Sequence, residues 1–433
     1  MTAIAASPRA RVRIAPGDPP PRWEVRVPGS KSQTNRALLL AGVAGGVSRL
    51  TNPLVADDTE VMADALRALG APVRTQPGAG GAEWVVSGLG GPPRDDADVW
   101  CGMAGTVARF LIPMLAAGRG RFVVDGHDQL RRRPLGPVLA ALAAQGTRID
   151  GDALPLTVVA DGLAGGEIEV DASVSSQFLS GLVMAAAFAA VPTRLRFAAL
   201  VSRPYVELTL DVMRAFGVDA AAGEGSVAIV PAEYRAAEVA IEPDASTASY
   251  FLASAALTGT SVRLPGVDLD AGRQGDIKLV AHLERMGATV TGRGPLQLTG
   301  AGRLHGVHVD MGDSTDVFMT LACVAPFADG PTTIEGIGHA RVKESDRVAA
   351  TAENLRRLGI AVEEGADYLR VHPGTPRSAQ LPTYDDHRIA MAFALIGTRV
   401  PVVLEDPQVV SKTCPAFFDL WRSTGAVIER DGW

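Results

Sequence analysis

Aromatic side chains are scarce, with Phe, Trp and Tyr making up 5% of the 433 residues. Cysteine is scarcer still: Cys101, Cys323 and Cys414, with no CxxC and no paired spacing. An odd, unpatterned set excludes a disulfide framework and fits a reducing cytoplasm, each thiol reading as a small packed side chain rather than a nucleophile. Long apolar runs are missing too. LSGLVMAAAFAAVP (179–192) falls short of the ~20 residues a bilayer span needs and reads as a buried helix. The opening MTAIAASPRARVRIAPGDPPPRW has no apolar segment of a secretory signal, and its Pro and Arg content predicts a loose tail. The formal net charge is −7, which gives nucleic acid no general field to bind, so an anionic ligand would need a local basic cluster. What is present is a chain 47% apolar and rich in small residues, an α/β composition long enough for two domains.

Two landmarks recur along it. A helix end, then glycine, then a strand start appears at Gly70, Gly146, Gly217, Gly287, Gly359 and Gly425, at separations of 66 to 76 residues. Glycine at that place accepts the positive φ that stops a helix. A short polar cluster running into an apolar helix recurs in PGSKSQTNRALLLAG, CGMAGTVARFLIPML, DASVSSQFLSGLVMA, DASTASYFLASAAL, GDSTDVFMTLACVA and YDDHRIAMAFALIG. Ser, Asp, Thr and Gly before an apolar run are helix N-cap chemistry. The pattern predicts six units of about 70 residues, each with two helices and strands such as RFVVDG (121–126) and TTIEGI (332–337). It reads as a duplicated α/β domain with three units per half. The apolar helices at 38–44, 110–117, 178–190, 250–258, 318–326 and 389–396 are predicted to be buried.

Helices that start at a shared end present free N–H groups and positive dipole ends there, which suits anions. The side chains near those starts include Lys31, Arg36, Arg133, Lys343, Arg347, Arg388 and Lys412. Taken singly each is ordinary. GSKS is not a P-loop, RRRP is a common surface turn, and KESDR fits a helix cap made by Ser345 or Asp346. HGVH (305–308) reads as two plain histidines, and GIGHAR lacks the third glycine of a dinucleotide loop. Seven cations at repeat-equivalent places in an acidic chain point instead to substrates bearing phosphate and carboxylate groups. Asp316 and Glu344 among them supply acid–base equipment. With no metal-ligand set and no dinucleotide loop, the expected chemistry uses no cofactor. Like charges facing one another would also favour an open form without ligands.

In order, PGSKSQTNRALLLA, AGTVARF, RRRPLG, VSSQFLSGL, VSRPY, RVKESDR, DDHRIAMAF and SKTCPAF resemble the motifs of the 5-enolpyruvylshikimate-3-phosphate synthase family, over about residues 24–422. The resemblance implies a two-domain inside-out α/β barrel, the enolpyruvyl transferase fold, with six βαβαββ repeats around buried helices. The domains would be 1–28 plus 243–433 and 29–242. It implies a cytoplasmic, monomeric transferase that moves the enolpyruvyl group of phosphoenolpyruvate to the 5-hydroxyl of shikimate 3-phosphate by addition and elimination, releasing phosphate. Lys31, Asp316 and Glu344 would be catalytic, with Asp316 as base on the 5-hydroxyl. Lys31, Ser32, Arg36, Ser175, Ser176, Gln177, Ser202, Tyr205, Asp316, His339 and Lys343 would hold shikimate 3-phosphate. Lys31, Gly105, Arg133, Gln177, Arg347, Arg388 and Lys412 would hold phosphoenolpyruvate. No nucleic acid or membrane partner is implied.

Three positions depart from the family pattern. Met103 stands where asparagine is common, Phe110 where many members have proline, and His339 where asparagine is frequent, adding a pH-dependent contact. Glyphosate, the family's inhibitor, is expected to inhibit because Gly105 adds no side chain to its site. The sister enzyme acting on UDP-N-acetylglucosamine usually carries a cysteine in the loop matching 125–134, and none is there. A specialised-metabolism paralogue and a catalytically dead anion-binding relative are the other rivals. Retention of Lys31, Asp316 and Glu344 argues against the last.

Overall fold

The computed structural model describes residues 10–78 and 81–432. The described residues form six four-stranded sheets, one for each repeat. In one, Gly166–Glu169 runs parallel to Thr193–Arg196, which pairs antiparallel with Ser226–Ile229, which pairs with Ala220–Gly223. The helix Ser176–Ala186 joins the first two strands and Arg203–Ala215 follows the second. The same β-α-β-α-β-β order recurs from His308–Asp310 to Tyr368–Val371, with helices Phe318–Val324 and Arg347–Arg357. All six landmark glycines have φ between 83° and 113°. That is the left-handed conformation a helix stop needs, and only glycine adopts it without strain.

The chain divides into two units, one of residues 10–27, 245–272 and 276–432, the other of 28–244 with 273–275. Each has its own hydrophobic core. At the passage between them, Ser30 N–H donates to the Glu242 carbonyl and Asp244 N–H to the Pro28 carbonyl, both at 2.8 Å. One sheet of the second unit and two of the first take a strand from elsewhere in the chain. Glu238–Ala240 lies parallel to Gly45–Thr51 in the second unit. In the first unit, Arg11–Ala15 lies antiparallel between Val402–Glu405 and Val427–Asp431.

That strand corrects the expectation of a loose tail, as does Arg22–Glu24, which pairs with Ser261–Leu264. Val12 and Ile14 are fully buried while Arg11 and Arg13 face solvent, so RVRIA is a period-two strand hidden among prolines and arginines. The part of the expectation falling on residues 1–9 lies outside the described residues.

The inner helices are buried almost throughout. Gly105–Ala116, Phe318–Val324 and His387–Ala394 are buried at every position. Lys31–Val43 is buried except at Ser32, and Ser176–Ala186 except at Gln177. Five of the six start earlier than their apolar segments suggest, and the sixth starts at Phe318 as expected. The first begins at Lys31, so Lys31 to Arg36 form its opening turns and not a preceding loop. Two inner helices of the second unit pack backbone to backbone: a Cβ on Gly181 would stand 2.3 Å from the Arg109 carbonyl oxygen. In the first unit six of the scarce aromatics, Trp23, Tyr250, Phe251, Phe417, Phe418 and Trp421, form a chain of ring contacts at 5.2–6.2 Å.

Candidate active site

In the second unit, three inner helices begin with functional side chains. Ser30 caps the first, accepting from Gln33 N–H at 3.4 Å. Lys31 follows, its Nζ 3.4 Å from Asp58 Oδ2 on a neighbouring helix, both side chains nearly enclosed. Ser175 caps the third helix by accepting from Gln177 N–H at 3.3 Å, with Ser176 as its first residue. Gly105 opens the second, and a Cβ there would lie 2.5 Å from Arg133 Nη1. Its bare backbone is what lets that guanidinium lie flat on the helix start. Arg131, two residues earlier, is instead tied to Asp125 at 2.8 Å, so of RRRP only Arg133 among these two turns to the helix start. Ser202 precedes the helix Arg203–Ala215 in a left-handed conformation, φ 50°.

Arg36 is built into the protein rather than left facing a ligand. Its guanidinium donates to Thr209 Oγ1 (2.7 Å), Ser32 O (2.8 Å), Tyr205 O (3.0 Å) and Ser180 Oγ (3.4 Å). It stacks 4.8 Å from the centre of the Phe110 ring, the residue that departs from the family's proline. Burial pulls its pKa down to about 10. Four of the five N–H groups of an arginine are thereby taken, and its first effect is to lock Ser32 and Tyr205 in place.

In the first unit, one carboxylate joins two cations. Asp316 accepts from Arg347 Nη1 at 2.9 Å and from Arg388 Nη2 at 2.7 Å. Arg347 also donates to Glu344 at 2.7 Å and to Asp386 at 2.8 Å. Burial alone would lower the Arg347 pKa, but Asp386, Glu344 and Asp316 together hold it above its ordinary value. Asp386, wholly buried, also caps the helix His387–Ala394 through Arg388 N–H at 2.9 Å. Asp346 caps Arg347–Arg357 through Ala349 N–H at 3.0 Å, as the KESDR cap predicts. Lys412 is buried at the end of the turn Pro407–Lys412 and Lys343 is half-buried.

Two expectations change. His339 Nε2 sits 2.6 Å from Thr315 Oγ1, and burial, helped by Lys343, drives its pKa down to about 4. The predicted pH-dependent contact therefore moves below the physiological range. The expectation of bare cations changes as well, because Lys31, Arg347 and Arg388 already hold carboxylates within their own units. The histidines of HGVH each meet a carboxylate, His305 with Asp329 at 2.8 Å and His308 with Glu335 at 3.0 Å. Among the described residues no three His, Cys, Asp or Glu side chains cluster to hold a metal.

Residues 21–421 match the sequence profile of EPSP synthase (3-phosphoshikimate 1-carboxyvinyltransferase). The chain belongs to the EPSP synthase family. It is 43% identical over 411 residues to the 3-phosphoshikimate 1-carboxyvinyltransferase of Edwardsiella ictaluri, covering 91% of this chain and 94% of that one. To its counterpart in Nostoc punctiforme it is 41% identical over 404 residues, with the same coverage. The solved EPSP synthase of Acinetobacter baumannii superposes with a TM-score of 0.81 at 26% identity, over 98% of this chain and 100% of that one. The enolpyruvyl transferase NikO from Streptomyces tendae shares the fold at 19% identity, with a TM-score of 0.77 over 98% and 99% of the two chains.

The site residues carried over from the motifs leave out the side chains that hold them. Asp58, Asp386, Arg109, Thr209 and Thr315 bind Lys31, Arg347, Gln177, Arg36 and His339 respectively. Asp386 carried a signal, since an acidic residue before HR and an apolar run is an N-cap. Asp58 and Thr209 lie inside other helices and nothing local marks them.

Proposed function

We propose that this enzyme adds the 5-hydroxyl of shikimate 3-phosphate to C2 of phosphoenolpyruvate and then expels phosphate, with the named residues in the following roles. Asp316 takes the proton of the attacking hydroxyl. Lys31 and Glu344 deliver a proton to the methylene carbon C3 as the C2–O bond forms, then recover one as the C2–O bond to phosphate breaks and the double bond returns. Lys31, Arg133, Gln177, Arg347, Arg388 and Lys412 hold the phosphate and carboxylate of phosphoenolpyruvate, while Gly105 leaves the room that Arg133 occupies. Positive charge beside the leaving phosphate lowers the barrier to its departure. Lys31, Ser32, Ser175, Ser176, Gln177, Ser202, Tyr205 and Lys343 hold shikimate 3-phosphate. Arg36 acts by fixing Ser32 and Tyr205, and His339 joins as a neutral donor or acceptor. The reading includes a monomer working in the cytoplasm.

The observation that carries it is the Asp316 carboxylate bonded to both Arg347 and Arg388, with Glu344 on the same Arg347. A base and two anion-holding guanidiniums in one bonded cluster is what coupling hydroxyl deprotonation to phosphate loss requires. A UDP-N-acetylglucosamine reaction through a cysteine is disfavoured: Cys101 is fully buried, and burial with Asp125 pushes its thiol up to about 12. The test is phosphate release from phosphoenolpyruvate with shikimate 3-phosphate. Turnover is expected with that pair and is expected to fall by at least a hundredfold in Asp316→Ala. Turnover that requires UDP-N-acetylglucosamine overturns the reading.

A further inference from the structure

Arg109 belongs to the AGTVARF motif but has no part in the roles above. The residue is 2% exposed, in a helix buried at every position. Nη1 donates to Gln177 Oε1 at 3.0 Å, Nη2 to the Pro134 carbonyl at 3.2 Å, and the group stacks 4.9 Å from the centre of the Phe178 ring. Gln177 Nε2 in turn donates to Thr106 Oγ1 at 3.3 Å. One buried cation thus ties the side chain of Gln177 to the backbone just after Arg133.

The chemistry of arginine decides what this does. A guanidinium only donates, so the atom of Gln177 that faces it must be the carbonyl oxygen. The amide has two faces of opposite character, and with Oε1 engaged by Arg109 and one Nε2 hydrogen on Thr106, the group left to offer a ligand is the second Nε2 hydrogen. An amide free to flip would present its oxygen half the time, which repels an anionic oxygen.

We propose that Arg109 is a positioning residue that fixes the amide of Gln177 so that it presents an N–H donor to the anionic substrate, and that it registers the Arg133 loop against the same helix start. The proposal rests on the assignment of Gln177 to the substrate site.

A double-mutant cycle on kcat/KM for phosphoenolpyruvate tests it with Arg109→Met and Gln177→Ala. Arg109→Met keeps an apolar stem over Phe178 and removes the donors. Losing a charge-assisted hydrogen bond is expected to lower kcat/KM by roughly tenfold to a hundredfold in the wild-type background and by less than about threefold in Gln177→Ala. Equal losses in both backgrounds overturn the proposal, because they mean that Arg109 only supports the fold. If Arg109→Met is insoluble, Arg109→Lys replaces it, with the same two outcomes. An activity-independent readout is the side-chain amide resonance pair of Gln177, assigned by its disappearance in Gln177→Ala. In the intact protein the pair is expected to be sharp and slow to exchange, and in Arg109→Met to collapse toward the free-amide position. A pair unmoved by the substitution overturns the positioning role whatever reaction the enzyme catalyses.

Discussion

At the scale of single residues, the charged groups work mainly through partners far away in sequence. His339 shows the effect of burial. Its pKa of about 4 in the folded protein lies below the ordinary 6.5 of an unfolded chain. Between those values the unfolded chain binds a proton that the folded one refuses, so stability is complete above pH 6.5 and drains away as pH falls toward 4. The loss is expected to reach about 2 kcal/mol, read by urea unfolding at pH 7 and pH 5, and His339→Asn should flatten that slope. Asp386 is the reverse case, a buried carboxylate on which Arg347 depends. Asp386→Ala leaves the buried Arg347 Nε without its acceptor, although Asp316 and Glu344 still hold the guanidinium, and removes a helix cap; it is expected to cost about 2–4 kcal/mol in denaturant unfolding. Which residues are candidates for the site was legible, because Lys31, Ser175, Asp316, Arg347 and Arg388 sit in recognisable strings. Their pairing was not, because Arg36 meets Thr209 and Arg347 meets Asp386 only after distant helices pack.

At the scale of elements, punctuation was the most readable feature. The glycines that end the helices and the Ser or Asp caps that begin them gave the repeat, since both follow from local backbone geometry. Helix starts were misplaced because apolar periodicity reports burial, and the opening turns from Lys31 to Arg36 are buried while polar. Arg11–Ala15 was missed because a five-residue strand among prolines carries too little pattern to outweigh its surroundings. Close helix contact depends on small residues. Because the atom opposing Gly181 is backbone, which cannot rotate away, Gly181→Ala is expected to destabilise by about 1–3 kcal/mol in chemical denaturation. Gly105 is the contrasting case, since the atom it opposes is the end of the flexible Arg133 side chain.

At the scale of the whole molecule, the proposed roles are divided between two units that each possess a complete core. Lys31 belongs to one and Asp316 to the other, so neither unit is expected to turn over substrate alone. For a monomer, mixing Lys31→Ala with Asp316→Ala should give no more phosphate release than the two variants measured apart. Recovery of activity in the mixture would mean that chains exchange units.

The strand Arg11–Ala15 has a further consequence for biogenesis. It leaves the ribosome before residues 28–244, yet its neighbours Val402–Glu405 and Val427–Asp431 leave after them. Residues 28–244 have all emerged before either neighbour arrives, so their unit is free to fold during translation. The other must wait with an unpaired edge until those two strands are made, and that interval is when nascent chains would be most open to chaperone capture or aggregation.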